Sequence, residues 1–134
     1  MKAFITAEIG SNWEGNYVKA KKIIRECKKA DVDAVKFQMW KAEDLYNKSH
    51  PNWNEIKRSE LSFQMAKKLK KFSDKEKIEF FCSAFYPEAV KYLLSIGVKK
   101  KFLSAWEWEE IKKRFQICLM GKKLLFVIVY QIIL

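Results

Sequence analysis

The sequence predicts an α/β fold in which a parallel sheet is covered by helices. Three observations carry that expectation. Short apolar runs recur at 4–9, 34–40 and 78–85, each too brief to stand as a helix. Between them, apolar residues recur at helical spacing, and cap- or turn-forming residues separate the two kinds of segment. Hydrophobic residues at 49% and charged residues at 32% suit a chain with a real core rather than a disordered one. The alternation fits either a closed barrel or an open doubly wound sheet, and pattern does not choose between them.

Phe4 to Ile9, closed by Gly10, has the composition of a buried parallel strand. Asn16 is placed to cap a helix whose inward stripe is Ala20, Ile23, Ile24 and Cys27, with Lys21, Lys22, Arg25, Lys28 and Lys29 mostly outside. Ala34 to Trp40 reads as the second strand, and because strand side chains alternate, Lys36 and Gln38 share one face. The polar stretch from Lys41 to Ser59 is rich in turn formers and is expected to be one long loop, a common place for function. Ser62 opens a second helix with Ala66, Leu69 and Phe72 inward, and Ile78 to Phe85 forms a third strand. Pro87 suits the first turn of a third helix, with Val90, Leu93 and Leu94 inward and Gly97 as its cap. Val98 to Lys101 should lead into a fourth strand.

The formal net charge is +11, with 21 basic against 13 acidic residues up to Lys100 and 6 against 3 beyond it, so the excess reads as spread along the chain. Spread lysines on helices read as solvated faces. No nucleic-acid partner is therefore expected, and an anionic substrate explains the charge at least as well. Cys27, Cys82 and Cys118 show no close-pair spacing, which points away from a disulfide framework or zinc site and toward a reducing cytoplasm. The N-terminus lacks the apolar stretch of a signal peptide. No glycine-rich phosphate loop follows a strand, which disfavours nucleotide cofactors. His50 is the only histidine and reads as an exposed loop residue, since one imidazole builds neither a His-rich metal site nor a Cys–His dyad.

Glu8, Lys36, Gln38 and Ser83 stand out because each lies near the C-terminal end of an expected parallel strand, where α/β proteins place their sites. For the charged members, a buried ion pair filling the sheet interior is the plain alternative.

The stretches Ala7-Glu8-Ile9-Gly10-Ser11-Asn12, Ala34-Val35-Lys36-Phe37-Gln38 and Lys41-Ala42-Glu43-Asp44-Leu45 resemble the start of sialic acid (N-acetylneuraminate) synthases. Phe81-Cys82-Ser83-Ala84-Phe85 resembles the next strand of that family, usually Ser-Thr-Pro-Phe. The resemblance covers about residues 3 to 100. It implies a partial (β/α) TIM-type barrel of about three β/α units. It also implies a cytoplasmic reaction that condenses phosphoenolpyruvate with N-acetylmannosamine or a related N-acetylated amino sugar, releasing phosphate and forming a sialic-type acid. By the same resemblance Glu8 would contact the sugar and assist proton transfer, and Gln38 would help hold the sugar. Lys36 would pair with the phosphate or carboxylate of phosphoenolpyruvate, and Ser83, standing where the family has Thr, would donate a hydrogen bond to that group. The family uses a divalent metal, Mn or Mg, whose histidine ligands come from the second half of the barrel and are not expected in this chain.

Departures accompany the likeness. Trp13 stands where the family commonly has His. Asp31 and Lys77 stand at helix ends where the family tends to carry Gly, a left-handed position that costs a side chain roughly 1 kcal/mol. At 134 residues the chain is well short of the ~250 of a closed barrel. Lys101 to Glu107 matches only a damaged form of the family's next strand. Leu124 to Leu134 is a nearly unbroken apolar run, shorter than the ~20 residues of a membrane helix. The expectation is that residues 1–100 form the N-terminal part of a synthase-like barrel and 101–134 a divergent tail from a truncated or frameshifted gene, a membrane-surface tail being the alternative for that last run. Such a chain should be inactive alone and self-associate through open sheet edges; the alternative is a non-catalytic half barrel that binds a partner chain.

Overall fold

The computed structural model describes residues 4–99 and the strand at 103–105. Strands β1 (Thr6–Gly10), β2 (Ala34–Met39), β3 (Glu79–Ala84) and β4 (Leu103–Ala105) form one parallel sheet in the order β1-β2-β3-β4. Helices α1 (Tyr17–Lys29), α4 (Phe63–Lys75) and α5 (Pro87–Ser95) make the crossovers. Sequential parallel strands with helical crossovers are the construction rule of the TIM-type barrel, and the fold is a part of one.

The caps act where they were expected. Asn16 Oδ1 accepts from the backbone N–H of Val18 and Lys19 at 2.9 and 3.0 Å, and Ser62 Oγ accepts from Met65 N–H at 3.2 Å. Pro87 begins α5, where its missing N–H costs nothing. The core lies between the helices and one sheet face, with Phe37 stacked on Phe80 at 5.5 Å and flanked by Val35, Met39, Cys82 and Ala84. Ala20, Ala66 and Ala89 are fully buried at the helix–sheet contact, and their small side chains let the helices approach closely.

Four expectations need correction. Strand β1 begins at Thr6, where its ladder with β2 starts opposite Ala34, and Phe4 and Ile5 before it are 45% and 43% exposed. The stretch 41–59 is not one irregular loop but holds two short helices, α2 (Ala42–Leu45) and α3 (Trp53–Arg58). Leu94 is 45% exposed, since α5 turns Ala89 and Leu93, four residues apart, toward the sheet. The charge is not evenly spread: α1 carries six basic residues against one acidic and α4 five against one, and the two helices pack side by side. The fourth strand follows Val98–Lys101 as expected, so its three residues fall in the segment assigned to the tail. Residues 106–134, with the rest of the tail and Cys118, lie outside the described residues.

Asp31 and Lys77 do adopt the left-handed conformation, with φ of 57° and 55°. Lys28 Nζ donates to the Lys77 carbonyl at 2.9 Å, and Arg25 lies 5.1 Å over the Phe72 ring while its Nε meets Glu76 Oε1 at 3.1 Å. These contacts fasten α1 to the end of α4.

Candidate functional site

The pleat decides which side chains can meet. Val35, Phe37 and Met39 of β2 enter the helix-covered core, so Lys36 and Gln38 project from the opposite face. Parallel pairing sets Glu8 beside Lys36, Lys36 beside Phe81, and Gln38 beside Ser83. All four candidate side chains thus share the helix-free face, toward the C-terminal ends of their strands.

Lys36 Nζ lies 2.9 Å from Glu8 Oε2, and Gln38 Nε2 donates to Glu8 Oε1 at 3.4 Å. The two charged side chains are about a third exposed, so the pair is neither stripped of water nor freely solvated. Ser83 is 4% exposed. Phe81, met edge-on by Phe4 at 6.4 Å, gives the face an apolar floor beneath the ion pair. Behind Ser83, burial first and the charge of Glu8 second push the Cys82 thiol well up, which makes it a poor nucleophile.

The loops beyond the strand ends form a braced rim. Glu60 accepts from Ala42 N–H and from Lys57 Nζ, and Lys57 also meets Glu43 at 2.9 Å, which ties α2 to α3. The hydrogen bond from Lys57 holds the Glu43 carboxyl below its ordinary range, and the two carboxylates push the Lys57 ammonium up. Gly15, in the loop after β1, lies so close to Arg58 at the end of α3 that the two loops interlock. Lys41 sits 4.4 Å over the Tyr86 ring, whose hydroxyl is raised chiefly by burial. His50 is exposed, accepts from Asn52 N–H through Nδ1 at 3.1 Å, and meets Tyr46 edge-on.

Trp13 is 2% exposed and its indole N–H has no hydrogen-bond partner among the described residues. Its position was noted from the sequence, but its burial was not. The α2–α3 brace was also missed, although Glu55 near the start and Lys57 and Arg58 at the end of α3 form a dipole-matched charge order that marks a short helix. Among the described residues no three His, Cys, Asp or Glu side chains gather to hold a metal, and Glu8 is already engaged by Lys36 and Gln38. Among the described residues this cluster therefore offers no ligand set for a divalent ion.

A parallel (β/α) sheet with a carboxylate, an ammonium and a carboxamide converging near its strand ends defines a barrel protein with a polar cluster where barrel enzymes build their sites. The sequence profile of the NeuB family matches residues 23–125, and the chain belongs to that family. That span runs past residue 100, where the motif resemblance stops. The chain is 32% identical over 114 residues to the N,N'-diacetyllegionaminic acid synthase of Legionella pneumophila, covering 75% of this chain and 32% of that protein. It is 32% identical over 108 residues to the N-acetylneuraminate-9-phosphate synthase of Homo sapiens, covering 71% and 30%. The crystal structure of the N-acetylneuraminic acid (sialic acid) synthetase from Leptospira borgpetersenii, in complex with citrate, superposes with a TM-score of 0.67 at 32% identity, over 73% of this chain and 34% of that one. The chain thus spans about a third of the length of these relatives. No helix among the described residues is long and apolar enough to cross a membrane.

Proposed function

We propose that this chain supplies the first strands of a site that joins phosphoenolpyruvate to an N-acetylated amino sugar, N-acetylmannosamine or a relative, yielding a sialic-type acid in the cytoplasm. The observation that carries this reading is the Glu8–Lys36–Gln38 contact on the helix-free face of a NeuB-family sheet. Lys36 is a fixed cation that a phosphate or carboxylate can claim, and a charge-assisted contact of this kind strengthens as water leaves. Glu8 holds that ammonium at 2.9 Å. An arriving phosphate takes Lys36 over and frees Glu8 to face the sugar. As the methylene carbon of phosphoenolpyruvate bonds to the aldehyde carbon, the aldehyde oxygen gains a proton, water adds to the phosphate-bearing carbon and phosphate leaves; Glu8 is the group of this chain suited to manage the proton at the aldehyde oxygen. Gln38 holds the sugar and Ser83 donates its hydroxyl to the phosphate or carboxylate. The family's metal, Mn or Mg, would draw its ligands from outside this chain, which alone should not turn over.

Calorimetry with phosphoenolpyruvate tests the reading. Binding by the purified chain should disappear in Lys36→Gln and persist in Lys48→Gln. Equal binding by the Lys36 variant would remove the assigned role, and product formed from phosphoenolpyruvate, N-acetylmannosamine and manganese by the chain alone would overturn its inactivity.

A second reading has its own observation. Among the described residues β1 and β4 are each paired on one side only, and Phe4 and Ile5 are exposed beside the open edge. A half barrel of this kind can bind a partner chain or a second copy. Light scattering should show association that grows with salt, because screening over about 8 to 10 Å weakens the repulsion of a +11 chain but not edge pairing. A monomer at both low and high salt would refute it.

A further inference from the structure

We infer that the outer face formed by α1 and α4 is a docking surface for the phosphate backbone of a nucleic acid. The two helices hold eleven basic residues against two acidic ones, whereas the rest of residues 4–99 has eight basic against eleven acidic. The positive charge of the described chain is thus gathered on two neighbouring helices 33 residues apart in sequence, an arrangement that only the fold creates.

The acids of this face are already engaged: Glu26 pairs with Lys29 at 2.9 Å and Asp74 with Lys70 at 2.6 Å. Lys22, Lys28, Lys67, Lys68, Lys71 and Lys75 are exposed and form no ion pair among the described residues; Lys28 donates to a backbone carbonyl, which leaves its charge intact. Lys67, Lys71 and Lys75 succeed one another every four residues, a rise of about 6 Å per step along α4. The lysines of α1 run beside them at the ~8 to 10 Å spacing of packed helices. The result is one row of free ammonium groups on α4, with Lys22 and Lys28 of α1 added beside it.

The chemistry of the face favours a phosphate backbone over a lipid surface. A helix that adsorbs to a bilayer inserts a continuous apolar side, but α1 and α4 turn their apolar stripes to the sheet and leave only Val18 and Phe63, each in the first turn of its helix, exposed. Of the aromatic rings on these helices, Tyr17 and Phe72 are covered by Lys21 at 4.8 and 5.8 Å and Phe72 also by Arg25, while Phe63 at the start of α4 is stacked on Tyr92 at 4.3 Å. That leaves charge without a wedge or a stacking platform, the requirement for binding that is independent of base sequence. Helices form the outer ring of a (β/α) barrel, so this face stays open when further strands extend the sheet.

Fluorescence anisotropy of the full chain with a short labelled DNA duplex of mixed sequence provides the test, with circular dichroism to verify that each variant is folded. Six phosphate contacts predict that affinity falls about a thousandfold between roughly 50 and 200 mM salt. Lys71→Gln with Lys75→Gln should weaken binding at low salt and cut that fall to about a hundredfold, as expected for four contacts. Lys48→Gln with Lys91→Gln removes the same charge elsewhere and should leave both quantities as in the parent chain. Equal loss in the two double variants would mean that net charge alone binds the duplex and would overturn the assignment. So would an unchanged salt response in the α4 variant, or binding to phosphatidylserine vesicles with none to the duplex.

Discussion

Gly15→Ala should be among the most damaging single-methyl additions in this chain. Gly15 has φ of +69°, and a Cβ there would fall on the Arg58 carbonyl oxygen, with the carbonyl carbon and Arg58 Cγ at 2.9 Å. Gly97 supplies the control, since its φ is +85° but a Cβ would meet nothing within 4 Å. At Gly97 only the backbone term acts: left-handed strain of roughly 1 to 2 kcal/mol, offset in part by the ~0.4 to 1 kcal/mol gained from a less flexible unfolded chain. Gly97→Ala should therefore cost about 1 kcal/mol. At Gly15 the same term is joined by overpacking against backbone, which adds about 1 to 3 kcal/mol, for a total of about 2 to 4. Urea unfolding followed by circular dichroism at low protein concentration reads the difference as a midpoint shift of roughly 1 to 2 M between the variants. If Gly15→Ala lies within about 0.5 kcal/mol of Gly97→Ala, the interlock between the loop after β1 and the end of α3 does not exist as described.

Lys77→Gly should stabilise the chain by up to about 1 kcal/mol, because it removes a left-handed Cβ while keeping the carbonyl that Lys28 binds, and Asp31→Gly should gain less because Asp tolerates that conformation; an equal or larger gain at Asp31 in urea unfolding would count against the argument. The Glu43–Lys57 clasp should loosen in acid. Glu43 is lowered, so its contribution is present above the ordinary carboxylate range near ~4.3 and lost as pH falls through its folded value, while Lys57, raised, keeps its contribution until pH climbs beyond ~10.4. Hydrogen exchange across residues 42–60, corrected for intrinsic rates, should show protection falling below pH ~4 in the parent chain and no such step in Lys57→Met; the same step in both would refute it.

What could be read from the sequence was what local rules determine. Asn16 and Ser62 announce their helices because a cap bonds residues two or three positions away, and Lys36 and Gln38 share a face because a strand alternates whatever surrounds it. Glu8 could be set beside Lys36 because consecutive parallel strands pair. The misses depend on groups distant in sequence. Helices α2 and α3 are too short to persist on propensity and are held by Glu60 on Ala42 and Lys57 on Glu43. Leu94 looked inward because α5 offers more apolar residues than one face can bury. The basic face was invisible because its two halves lie on helices that only folding brings together. For Glu8, Lys36, Gln38 and Ser83 the residues identify a place; their roles in it come from family likeness.

The strand order has a consequence for how the chain is made. Every ladder joins a strand to the one synthesised just before it: Thr6 to Ala34, Ala34 to Glu79, Cys82 to Leu103. In a nascent chain emerging N-terminus first, only β1 has to wait for its partner, and β2, β3 and β4 each meet a strand already translated. Each later β/α unit meets a template already in place, so during synthesis the chain's own sheet grows in one direction, at the pace of the ribosome.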